Sequence, residues 1–506
     1  MTLRATHVHA RADDYAAPGG PWDVPALHDL LDVAALGAAD RVLLVDDTER
    51  VDGAALAERV GRVAGWLSSR GVAPGEVVAW QAPNATASVV LLRACWSLGA
   101  VAVPLHPQWR GTEIGLALAA LGNHHLVDVE HDADGWRRAH PVEASPVGAH
   151  DLAAVLFTSG SSGAPKGVIH SHATLACKAS TMAAWHGLGP DDAVLMPAPV
   201  AHVSGLLNGV TLPGCVPFRA VLMARWDPAR ALDLIEREQI TFMVGPPTFF
   251  VAMMRSPGFA AARVATMRVI SSGGAGVGEA FVEEASEAFG CTVKRTYGST
   301  EAPTVATSTP DDVPEDARWA DGRAVGAAEL RIVDPASGDA LASGAVGELW
   351  VRGPELCCGY LDPVATAASF TDDGWFRTAD LAAIDGSGWL TVAGRVADVI
   401  IRGGENVAAA DVEEHLEAHP RIHQAVAVGF PDDLMGERVC AFVVSDGDVT
   451  PEECRRWFEE RGAARYKAPE RLVRIGEVPV LPTGKPDRAA LRAEAARRFR
   501  VSPRGH

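Results

Sequence analysis

The stretch VLFTSGSSGAPKGVIHSH, residues 155–172, is the part of the chain from which fold and chemistry can be predicted most directly. Its apolar start at 155–157 is typical of a short buried strand, and apolar chain resumes at Val168 after a loop of small residues. The backbone N–H groups of such a loop can close on an anion as a nest. Serine and threonine hydroxyls add donors, and Lys166 adds a mobile positive charge. The stretch therefore predicts a phosphate-binding loop after a buried strand.

The residues of this loop also bear on two other interpretations, a Walker A loop and a flexible loop without a ligand. A Walker A loop is excluded, because Lys166 is followed by Gly167 where that motif needs Ser or Thr after its Gly-Lys pair. A flexible Ser/Gly loop without a ligand stays open as long as this stretch is considered by itself.

Length and charge limit the possible functions. The chain has 506 residues, more than a single hydrophobic core normally serves, so we expect more than one domain. Its formal net charge of −19 argues against nucleic acid and anionic membrane surfaces as general partners. The same charge means that any polyphosphate must be met by local positive groups.

The cysteines and the apolar segments predict a cytoplasmic protein. Eight cysteines show neither CxxC spacing nor a histidine at a zinc-like interval, which indicates reduced thiols. We expect no integral membrane segment, since the most apolar run, 89–105, contains Arg93 and is too short to span a bilayer.

Lysine is unusually rare in this chain. Lys and Arg total 45, yet only five are lysine, at positions 166, 178, 294, 467 and 485. Each lysine is therefore a candidate for a role that needs a compact ammonium rather than a guanidinium.

Apolar runs that alternate between strand and helix spacing predict the fold class. We expect an α/β protein with a large N-terminal domain, 1–394, made of mostly parallel α/β subdomains plus a β subdomain. A small mobile α+β domain, 395–506, should follow the turn at 394–398. A Rossmann site is not favoured, because the glycines at 273, 274, 276 and 278 do not form GxGxxG.

The loop at 158–167 resembles the phosphate-binding signature of the adenylate-forming (AMP-binding) superfamily, which includes acyl-CoA synthetases, peptide-synthetase adenylation domains and beetle luciferases. Further segments resemble the superfamily's other motifs, in order, over about residues 50 to 490. They are 199–205, 273–275, 297–301, 347–349 with 359–360, 374–380, 394–398 with 403–406, and 482–485.

The resemblance implies a binding site for ATP and Mg²⁺. The residues that it implies are Thr158, Ser159, Gly160, Ser161, Ser162, Gly163, Lys166, Gly273, Gly274, Ala275, Tyr297, Gly298, Ser299, Thr300, Glu301, Asp380, Arg395, Gly403, Gly404 and Glu405. Thr158 and its neighbours would cradle the phosphates, and Glu301 with Thr158 would hold Mg²⁺, which prefers hard oxygen ligands. Tyr297 would stack on adenine, and Asp380 would accept both ribose hydroxyls.

The resemblance also implies two half-reactions. Lys485 would bridge the substrate carboxylate and the α-phosphate during adenylation. Rotation of the small domain would then bring 403–406 over a pantetheine tunnel, with His202 where that tunnel meets the acid pocket. Each role has an alternative: Asp380 could cap a turn, His202 could be an ordinary buried or loop histidine, and Lys485 could be a solvated surface residue.

Two positions depart from the superfamily pattern. Ala379 stands where glycine is usual, which could shift the loop that holds Asp380. Ala397 stands at a hinge position that is usually Asp or Lys. Because rotation needs backbone freedom more than a side chain, we expect the domain movement to survive.

The region expected to line the acid pocket indicates an uncharged substrate. Segments 201–207, 243–250 and 302–307 contain no carboxylate that could pair with the ammonium of an amino acid. Candidate walls are Leu206, Leu207, Phe249, Phe250 and Val305, some of which must be core.

We therefore predict a small carboxylic acid as substrate and coenzyme A as acceptor. An acyl-adenylate ligase that loads a free-standing acyl carrier protein is the alternative, and a luciferase-like oxygenase a remote third. A non-catalytic nucleotide sensor would be expected to lack Glu301 or Lys485, and both are present.

Overall fold

The structure is a computed structural model that describes residues 3–7, 9–159, 165–274, 276–312, 319–402, 405–432, 435–481 and 486–499. The chain divides into two compact units, each built from more than one segment. The first comprises Met1–Gly274, Val282–Leu330 and Trp350–Arg377, and the second comprises Ala275–Phe281, Arg331–Leu349 and Thr378–His506. The functional boundary that we place at 394–395 stays a prediction.

The strands, in chain order, are β1 (Val42–Val45), β2 (Arg50–Asp52), β3 (Val77–Gln81), β4 (Val101–Leu105), β5 (His125–Val127), β6 (Leu152–Ser159), β7 (Pro165–Ser171), β8 (Ala193–Met196), β9 (Arg219–Leu222), β10 (Phe242–Gly245), β11 (Val269–Gly273), β12 (Thr292–Tyr297), β13 (Ala306–Thr307), β14 (Arg323–Ala324), β15 (Glu329–Val333), β16 (Gly347–Arg352), β17 (Phe376–Ile384), β18 (Leu390–Arg395), β19 (Val399–Arg402), β20 (Glu405–Ala408), β21 (Ile422–Asp432), β22 (Gly436–Ser445) and β23 (Arg471–Arg474).

The α-helices are α1 (Ala12–Ala16), α2 (Leu27–Gly37), α3 (Gly53–Ser69), α4 (Thr86–Ser97), α5 (Gly111–Leu121), α6 (Val129–Arg138), α7 (His172–His186), α8 (Val203–Leu206), α9 (Leu212–Cys215), α10 (Pro228–Glu238), α11 (Pro247–Met254), α12 (Glu279–Phe289), α13 (Pro363–Ser369), α14 (Ala409–Glu417), α15 (Pro451–Glu460) and α16 (Arg488–Arg498). One π-helical turn, Leu207–Thr211, joins α8 to α9, and 3₁₀ turns occupy Ala261–Val264, Val396–Asp398 and Arg465–Lys467.

The first unit contains two mostly parallel sheets. The larger sheet has the order β14-β13-β12-β11-β10-β8-β9-β1-β2, and its central pairs from β12 to β1 are parallel. The smaller sheet has the order β5-β3-β4-β6-β7, in which only the β6–β7 pair is antiparallel. Parallel strands covered on both faces read as continuous apolar runs, as residues 153–156 of β6 do. The predicted α/β class is confirmed.

Two further sheets complete the fold. The strands β15-β16-β17-β18 form one sheet, of which β18 and most of β17 lie in the second unit, and β17 pairs with β18 in antiparallel register. The other has the order β20-β19-β22-β21, and β23 adds to β22 in parallel. One apolar cluster covers a face of this sheet around Val412 and Phe458, and another covers the opposite face around Phe442 and Leu491.

Helix boundaries follow local capping chemistry. Asp52 caps α3 by accepting the N–H of Ala55, and Thr450 forms a capping box with Glu453 at the start of α15. The apolar residues of α3 and α15 recur at helical spacing in the sequence. The helices α2 and α7 were not predicted from the sequence. Within the described residues, no helix is long and apolar enough to cross a membrane.

Ala379 adopts the backbone conformation that normally belongs to glycine. Its φ is +58°, in the left-handed region, and the residue is exposed within β17, immediately before Asp380. Ala379 therefore keeps the backbone conformation of the glycine that is usual at this position. Because alanine has a Cβ, this conformation is strained.

Replacement of Ala379 by glycine should stabilise the second unit by on the order of 0.5–1 kcal/mol. The left-handed conformation costs an alanine about 1–2 kcal/mol, which glycine avoids. Glycine loses more backbone entropy on folding than alanine does, and this offsets about 0.5–1 kcal/mol of the gain. Chemical denaturation of both proteins measures the difference.

The matched control is Ala383→Gly, because Ala383 lies in the same strand with an ordinary negative φ. That variant should lose stability. Equal losses in the two variants would show that the left-handed backbone at position 379 carries no strain.

Candidate active site

Four neighbouring parallel strands of the first unit bring the predicted motifs to one edge of the large sheet. In the order β12-β11-β10-β8, each strand is followed at its carboxyl end by a motif. These are the Gly298 turn, Gly274, the segment around Phe249, and His202. Ligands of open α/β sheets bind outside the carboxyl ends of the strands, so the predicted residues lie where such a fold places a site.

The backbones at this edge approach too closely for larger side chains. Gly273 lies opposite Thr296 in the β11–β12 register, and a Cβ on Gly273 would lie 2.1 Å from the Thr296 carbonyl oxygen. A Cβ on Gly298 would lie 2.3 Å from the Thr304 nitrogen. Both glycines are therefore required sterically, and the edge presents backbone rather than side chains beside Tyr297.

The two ends of the phosphate-loop motif lie on β6 and β7, and this pair of strands is called the hairpin below. β6 and β7 pair in antiparallel register, with Thr158 opposite Lys166 and Phe157 opposite Gly167. Directly opposed residues project from the same face of a sheet, so the Thr158 hydroxyl and the Lys166 ammonium share one face. Gly160, Ser161, Ser162 and Gly163 lie outside the described residues, as does the side chain of Ser159.

The Tyr360 side chain joins this hairpin to the motif at 297–301. Its hydroxyl donates a hydrogen bond of 2.8 Å to Oε1 of Glu301, and the Lys166 ammonium lies 5.7 Å from its ring centroid. Burial, together with the nearby Glu301 charge, raises the pKa of Tyr360, so the hydroxyl stays a donor. The sequence identified the Gly-Tyr pair as a motif but not this bridging contact.

Backbone pairing holds Tyr360 in place. The N–H of Ile169 donates to the Gly359 carbonyl at 2.9 Å, and the N–H of Leu361 donates to the Gly167 carbonyl at 2.8 Å. The N–H of Cys357 donates to the carbonyl of Glu301 at 2.8 Å. Residues 357–361 thus form a link that is hydrogen-bonded to both motifs.

His170 makes a second connection between the hairpin and this motif. Its Nε2 lies 2.8 Å from the carbonyl oxygen of Thr300, so this nitrogen carries the proton and donates. The ring is fully buried, and burial lowers the pKa of His170 to about 4, which keeps it neutral at physiological pH. The sequence shows a His-x-His spacing of His170 with His172 but gives no indication of this contact. Among the described residues no cluster of three or more His, Cys, Asp or Glu side chains could hold a metal ion.

His202 caps a short helix in the predicted acid-pocket segment. Its Nδ1 accepts the N–H of Ser204 at 3.1 Å, which fixes the ring at the start of α8. A π-helical turn, Leu207–Thr211, follows immediately. Such turns occur frequently at functional sites and cannot be recognised from residue periodicity.

The candidate walls of the acid pocket separate into core and edge residues. Leu206, Leu207, Phe250 and Val305 are buried in the hydrophobic interior. Phe249 is only half-buried and stacks on Trp226, with ring centroids 4.1 Å apart and an interplanar angle of 15°. Trp226 lies outside every motif, so this aromatic pair could not be predicted from the sequence.

In the second unit Asp380, the predicted ribose ligand, contacts Arg395, which is predicted to bind the ribose or phosphate side of the nucleotide. Asp380 on β17 lies opposite Arg395 on β18, and the Arg395 Nε lies 2.9 Å from the Asp380 Oδ1. Asp380 is buried, and its N–H donates to the Thr378 hydroxyl at 3.0 Å. The Glu348 carboxylate accepts the N–H of Ala379 at 3.2 Å. The role of Glu348 was not predicted, although the residue lies in a recognised motif.

The segment before and after Lys485 is anchored within the second unit. Val480 and Pro486 form an isolated antiparallel bridge, and Arg488 donates to both carboxylate oxygens of Glu413 at 2.6 and 2.7 Å. Arg488 also lies 3.5 Å from Asp398 of the predicted hinge. Lys485, Gly403, Gly404 and Ala275 lie outside the described residues, and so does the side chain of Glu405.

Comparisons with known proteins identify the family of the chain. Residues 31–361 match the family described as AMP-binding enzyme, and residues 411–485 match its C-terminal domain. The medium-chain fatty-acid–CoA ligase of Escherichia coli is 30% identical over 95% of this chain and 92% of its own length. A feruloyl-CoA synthase of Amycolatopsis is 32% identical over 88% of this chain and 93% of its own.

The solved structures agree as well. ATP-bound MatB from Rhodopseudomonas palustris superposes with a TM-score of 0.87 at 27% identity, covering 93% of this chain and 99% of that one. Fold and motifs together define an adenylate-forming enzyme. The chain belongs to the AMP-binding enzyme family, and the predicted placement among the acyl-CoA synthetases is confirmed.

Lys294 is a buried lysine in the strand that ends at Tyr297. Its ammonium donates to the Trp185 carbonyl at 2.8 Å and lies 3.3 Å from the His186 Nδ1. Burial lowers the pKa of Lys294 from 10.5 to about 7. The folded protein thus holds this proton more weakly than the unfolded chain does.

This shift predicts a pH dependence of stability. Between the folded and unfolded pKa values of Lys294 only the unfolded chain binds the proton, so the free energy of unfolding gains a positive slope with rising pH. Lys294→Met should remove that contribution, a difference of several kcal/mol accumulated from about pH 7 to 10.5. Urea unfolding of both proteins across this range measures it, and parallel curves would contradict the shift.

Proposed function

We propose that this enzyme uses ATP to convert a carboxylic acid with an uncharged body into its acyl-adenylate and then transfers the acyl group to coenzyme A. The observation that carries the proposal is the linkage of the hairpin Thr158–Lys166 pair to Glu301 through Tyr360 in the first unit. This linkage supports the proposal because it brings the strand ends that flank the proposed anion-binding loop, the Lys166 ammonium and the proposed metal ligand Glu301 close to one tyrosine.

The nucleotide would be held by backbone and side chains in named roles. The loop at 158–163 and Lys166 would bind the β- and γ-phosphates, and adenine would lie against Gly273–Gly274, Ala275 and Tyr297, beside the turn of Gly298, Ser299 and Thr300. Asp380 and Arg395, already oriented by their ion pair, would bind the ribose side. These roles rest on the motifs and on the contacts described above.

Glu301 fits the requirement for Mg²⁺. Its Oε1 accepts from Tyr360, while Oε2 accepts no hydrogen bond from the described residues and keeps lone pairs for a hard cation. Thr158 would add a hydroxyl oxygen. Bound Mg²⁺ would neutralise phosphate charge during the reaction.

Adenylation brings the carboxylate of the acid close to the phosphates of ATP. The reaction is therefore accelerated by neutralising these negative charges and by positioning the reacting atoms. A carboxylate oxygen of the acid attacks the α-phosphorus of ATP, a new O–P bond forms, and the bond to the bridging oxygen breaks to release pyrophosphate. Lys485 would bridge the attacking carboxylate and the α-phosphate. No residue of this chain becomes covalently attached.

Thioester formation completes the reaction. The thiol of coenzyme A loses its proton to water and attacks the acyl carbonyl of the adenylate. The C–S bond forms, and the acyl C–O bond breaks as AMP leaves with its electron pair. Residues 403–406 would line the approach of the pantetheine arm, and His202, fixed by Ser204, would lie beside the acid.

The substrate body is expected to be apolar. The segments around His202, Phe249 and Val305 provide no carboxylate for a substrate ammonium, and an unpaired ammonium costs several kcal/mol in apolar surroundings. The Phe249–Trp226 stack provides a flat aromatic surface at the sheet edge.

Loading of a separate acyl carrier protein is the alternative acceptor chemistry. The proposal places the reaction in the cytoplasm, which is supported by eight cysteines that are all free thiols in the structure.

Pyrophosphate release from Mg-ATP across a panel of free acids, with and without coenzyme A, tests the function. Turnover that needs one class of acid and coenzyme A, with acyl-CoA as product, is the expected result. Release that stalls after one turnover and is not relieved by coenzyme A would favour a carrier protein. Absence of release with every acid, while ATP still binds, would contradict the proposal.

Lys485→Ala and Gly404→Leu should separate the two half-reactions. Loss of the ammonium should abolish adenylate formation and spare thioester formation from supplied acyl-adenylate. A leucine at 404 should obstruct the approach of the pantetheine arm, so it should abolish thioester formation and spare adenylate formation. Single-turnover assays of each half-reaction measure both, and equal loss of the two steps in either variant would remove that residue from its role.

Tyr360→Phe should raise the Mg²⁺ concentration needed for half-maximal adenylation about tenfold. The variant keeps the ring but removes the donor that orients Glu301, and hydrogen bonds to charged groups contribute about 1.5–3 kcal/mol. A Mg²⁺ titration at saturating ATP measures the change.

Tyr15→Phe is the control for this variant, because the buried Tyr15 hydroxyl finds no hydrogen-bond partner among the described residues. Its Mg²⁺ requirement should match that of the parent enzyme. An unchanged requirement in Tyr360→Phe would show that the bond to Glu301 does not position the carboxylate.

A further inference from the structure

Three arginines, Arg41, Arg50 and Arg219, line a depression of about 260 Å³ in the first unit. Arg41 immediately precedes β1, Arg219 begins β9, and Asp192, also in the lining, immediately precedes β8. Since these three strands are parallel, the depression lies at their amino ends, whereas the predicted motifs follow carboxyl ends of the same sheet. Its volume is below the range of about 300–1,000 Å³ that drug-sized ligands occupy, so its ligand must be small.

The three arginine side chains reach solvent at this depression. Arg41 is 46% exposed, Arg50 is 49% exposed and Arg219 is 28% exposed. Burial lowers the pKa of Arg219, and the Glu238 charge opposes this shift. The charges of Arg50 and Arg41 lower the pKa of Arg219 further, which means that the three guanidinium groups repel one another. They form a local positive cluster on a protein whose net charge is −19.

Each guanidinium keeps one terminal nitrogen that makes no hydrogen bond to a described residue. Arg50 donates to both carboxylate oxygens of Glu238, at 2.8 and 2.7 Å, through Nη1 alone. Arg219 donates through Nη2 to the Glu238 carbonyl, and Arg41 donates through Nη2 to a backbone carbonyl and to Asp191. Of the Arg219 nitrogens only Nε is buried without a partner among the described residues, so its free Nη1 is open to solvent.

The carboxylates around the depression are already paired with arginines. The pairs are Asp192 with Arg268, Glu238 with Arg50 and Arg237, and Asp191 with Arg41. With Arg219, five guanidinium groups face three carboxylates, and two positive charges are left over. A divalent anion would balance this excess. Guanidinium groups bind phosphate well, because their planar N–H pairs match two of its oxygens.

We propose that this depression binds a phosphate group, a divalent tetrahedral oxyanion, through the free N–H groups of Arg41, Arg50 and Arg219. A monovalent carboxylate would leave one positive charge unbalanced and offers only two oxygen acceptors, which lie in one plane. The site is independent of the proposed catalytic function, since none of the three arginines holds ATP, the acid or coenzyme A in that proposal.

Titration of the full-length protein with inorganic phosphate at about pH 8, followed by phosphorus NMR, tests the site, because the phosphate is a dianion there. Arg41→Gln should weaken phosphate binding about tenfold through loss of a charged donor. Asp191→Asn should strengthen it about fivefold, because a competing negative charge is removed. Both residues are exposed, so both variants should fold normally.

Arg137→Gln and Asp134→Asn are the matched controls. These two residues form an exposed ion pair on α6, outside the depression, and their substitutions change the net charge of the protein by the same amounts. Both variants should bind phosphate with the affinity of the parent protein. Acetate at the same ionic strength should bind the parent at least tenfold more weakly than phosphate, because it carries a single charge.

Glycerol phosphate distinguishes the two sources of such a group. Tighter binding of this ester than of inorganic phosphate would assign the site to the phosphate of an organic molecule, and equal or weaker binding would assign it to the free ion. Either result supports the site.

Three results would overturn the proposal. They are absence of saturable phosphate binding to the parent protein, equal affinity of the parent and Arg41→Gln, and changes in the control variants as large as those in Arg41→Gln and Asp191→Asn. Phosphate that bound only at the proposed ATP site would be insensitive to Arg41→Gln and is thereby distinguished.

Discussion

Parallel pairing of β8, β10, β11 and β12 is the constraint on which the rest of the site depends. Since parallel strands point the same way, every loop that leaves their carboxyl ends emerges at one edge. Gly273 and Gly298 then allow the backbone at this edge to approach without side-chain obstruction. Motifs separated by about a hundred residues in sequence are neighbours for that reason alone.

The phosphate hairpin belongs to the other sheet of the first unit and must be connected to this edge separately. Residues 357–361 provide the connection, because their backbone bonds reach both Ile169 of the hairpin and Glu301 of the edge. His170 adds a bond to Thr300. Functional groups from two sheets are therefore held by main-chain hydrogen bonds, whose geometry is insensitive to side-chain substitution.

The fold class could be predicted from the sequence because its signals are local. The apolar run of β6 and the glycines of the loops are each determined by neighbours in the chain. Contacts between distant segments carried no such signal. The Tyr360–Glu301 bond, the Trp226–Phe249 stack and the Arg50–Glu238 pair depend on tertiary packing, and each was found only in the structure. Ala379 is a case in which the motif did predict a tertiary feature. The superfamily usually has glycine at this position, and the backbone of Ala379 adopts the left-handed conformation that favours glycine.

The scarcity of lysine has a chemical consequence for an enzyme that handles activated acyl groups. Acyl-adenylates and thioesters acylate amines, whereas a guanidinium stays protonated at neutral pH and is not a nucleophile. Of the lysines in the described residues, Lys178 and Lys294 are buried, Lys467 is paired with Asp411, and Lys166 is half-buried near Tyr360. A surface whose positive charge is carried mainly by arginine offers few amines to the enzyme's own reactive product, so self-acylation outside the active site has few targets.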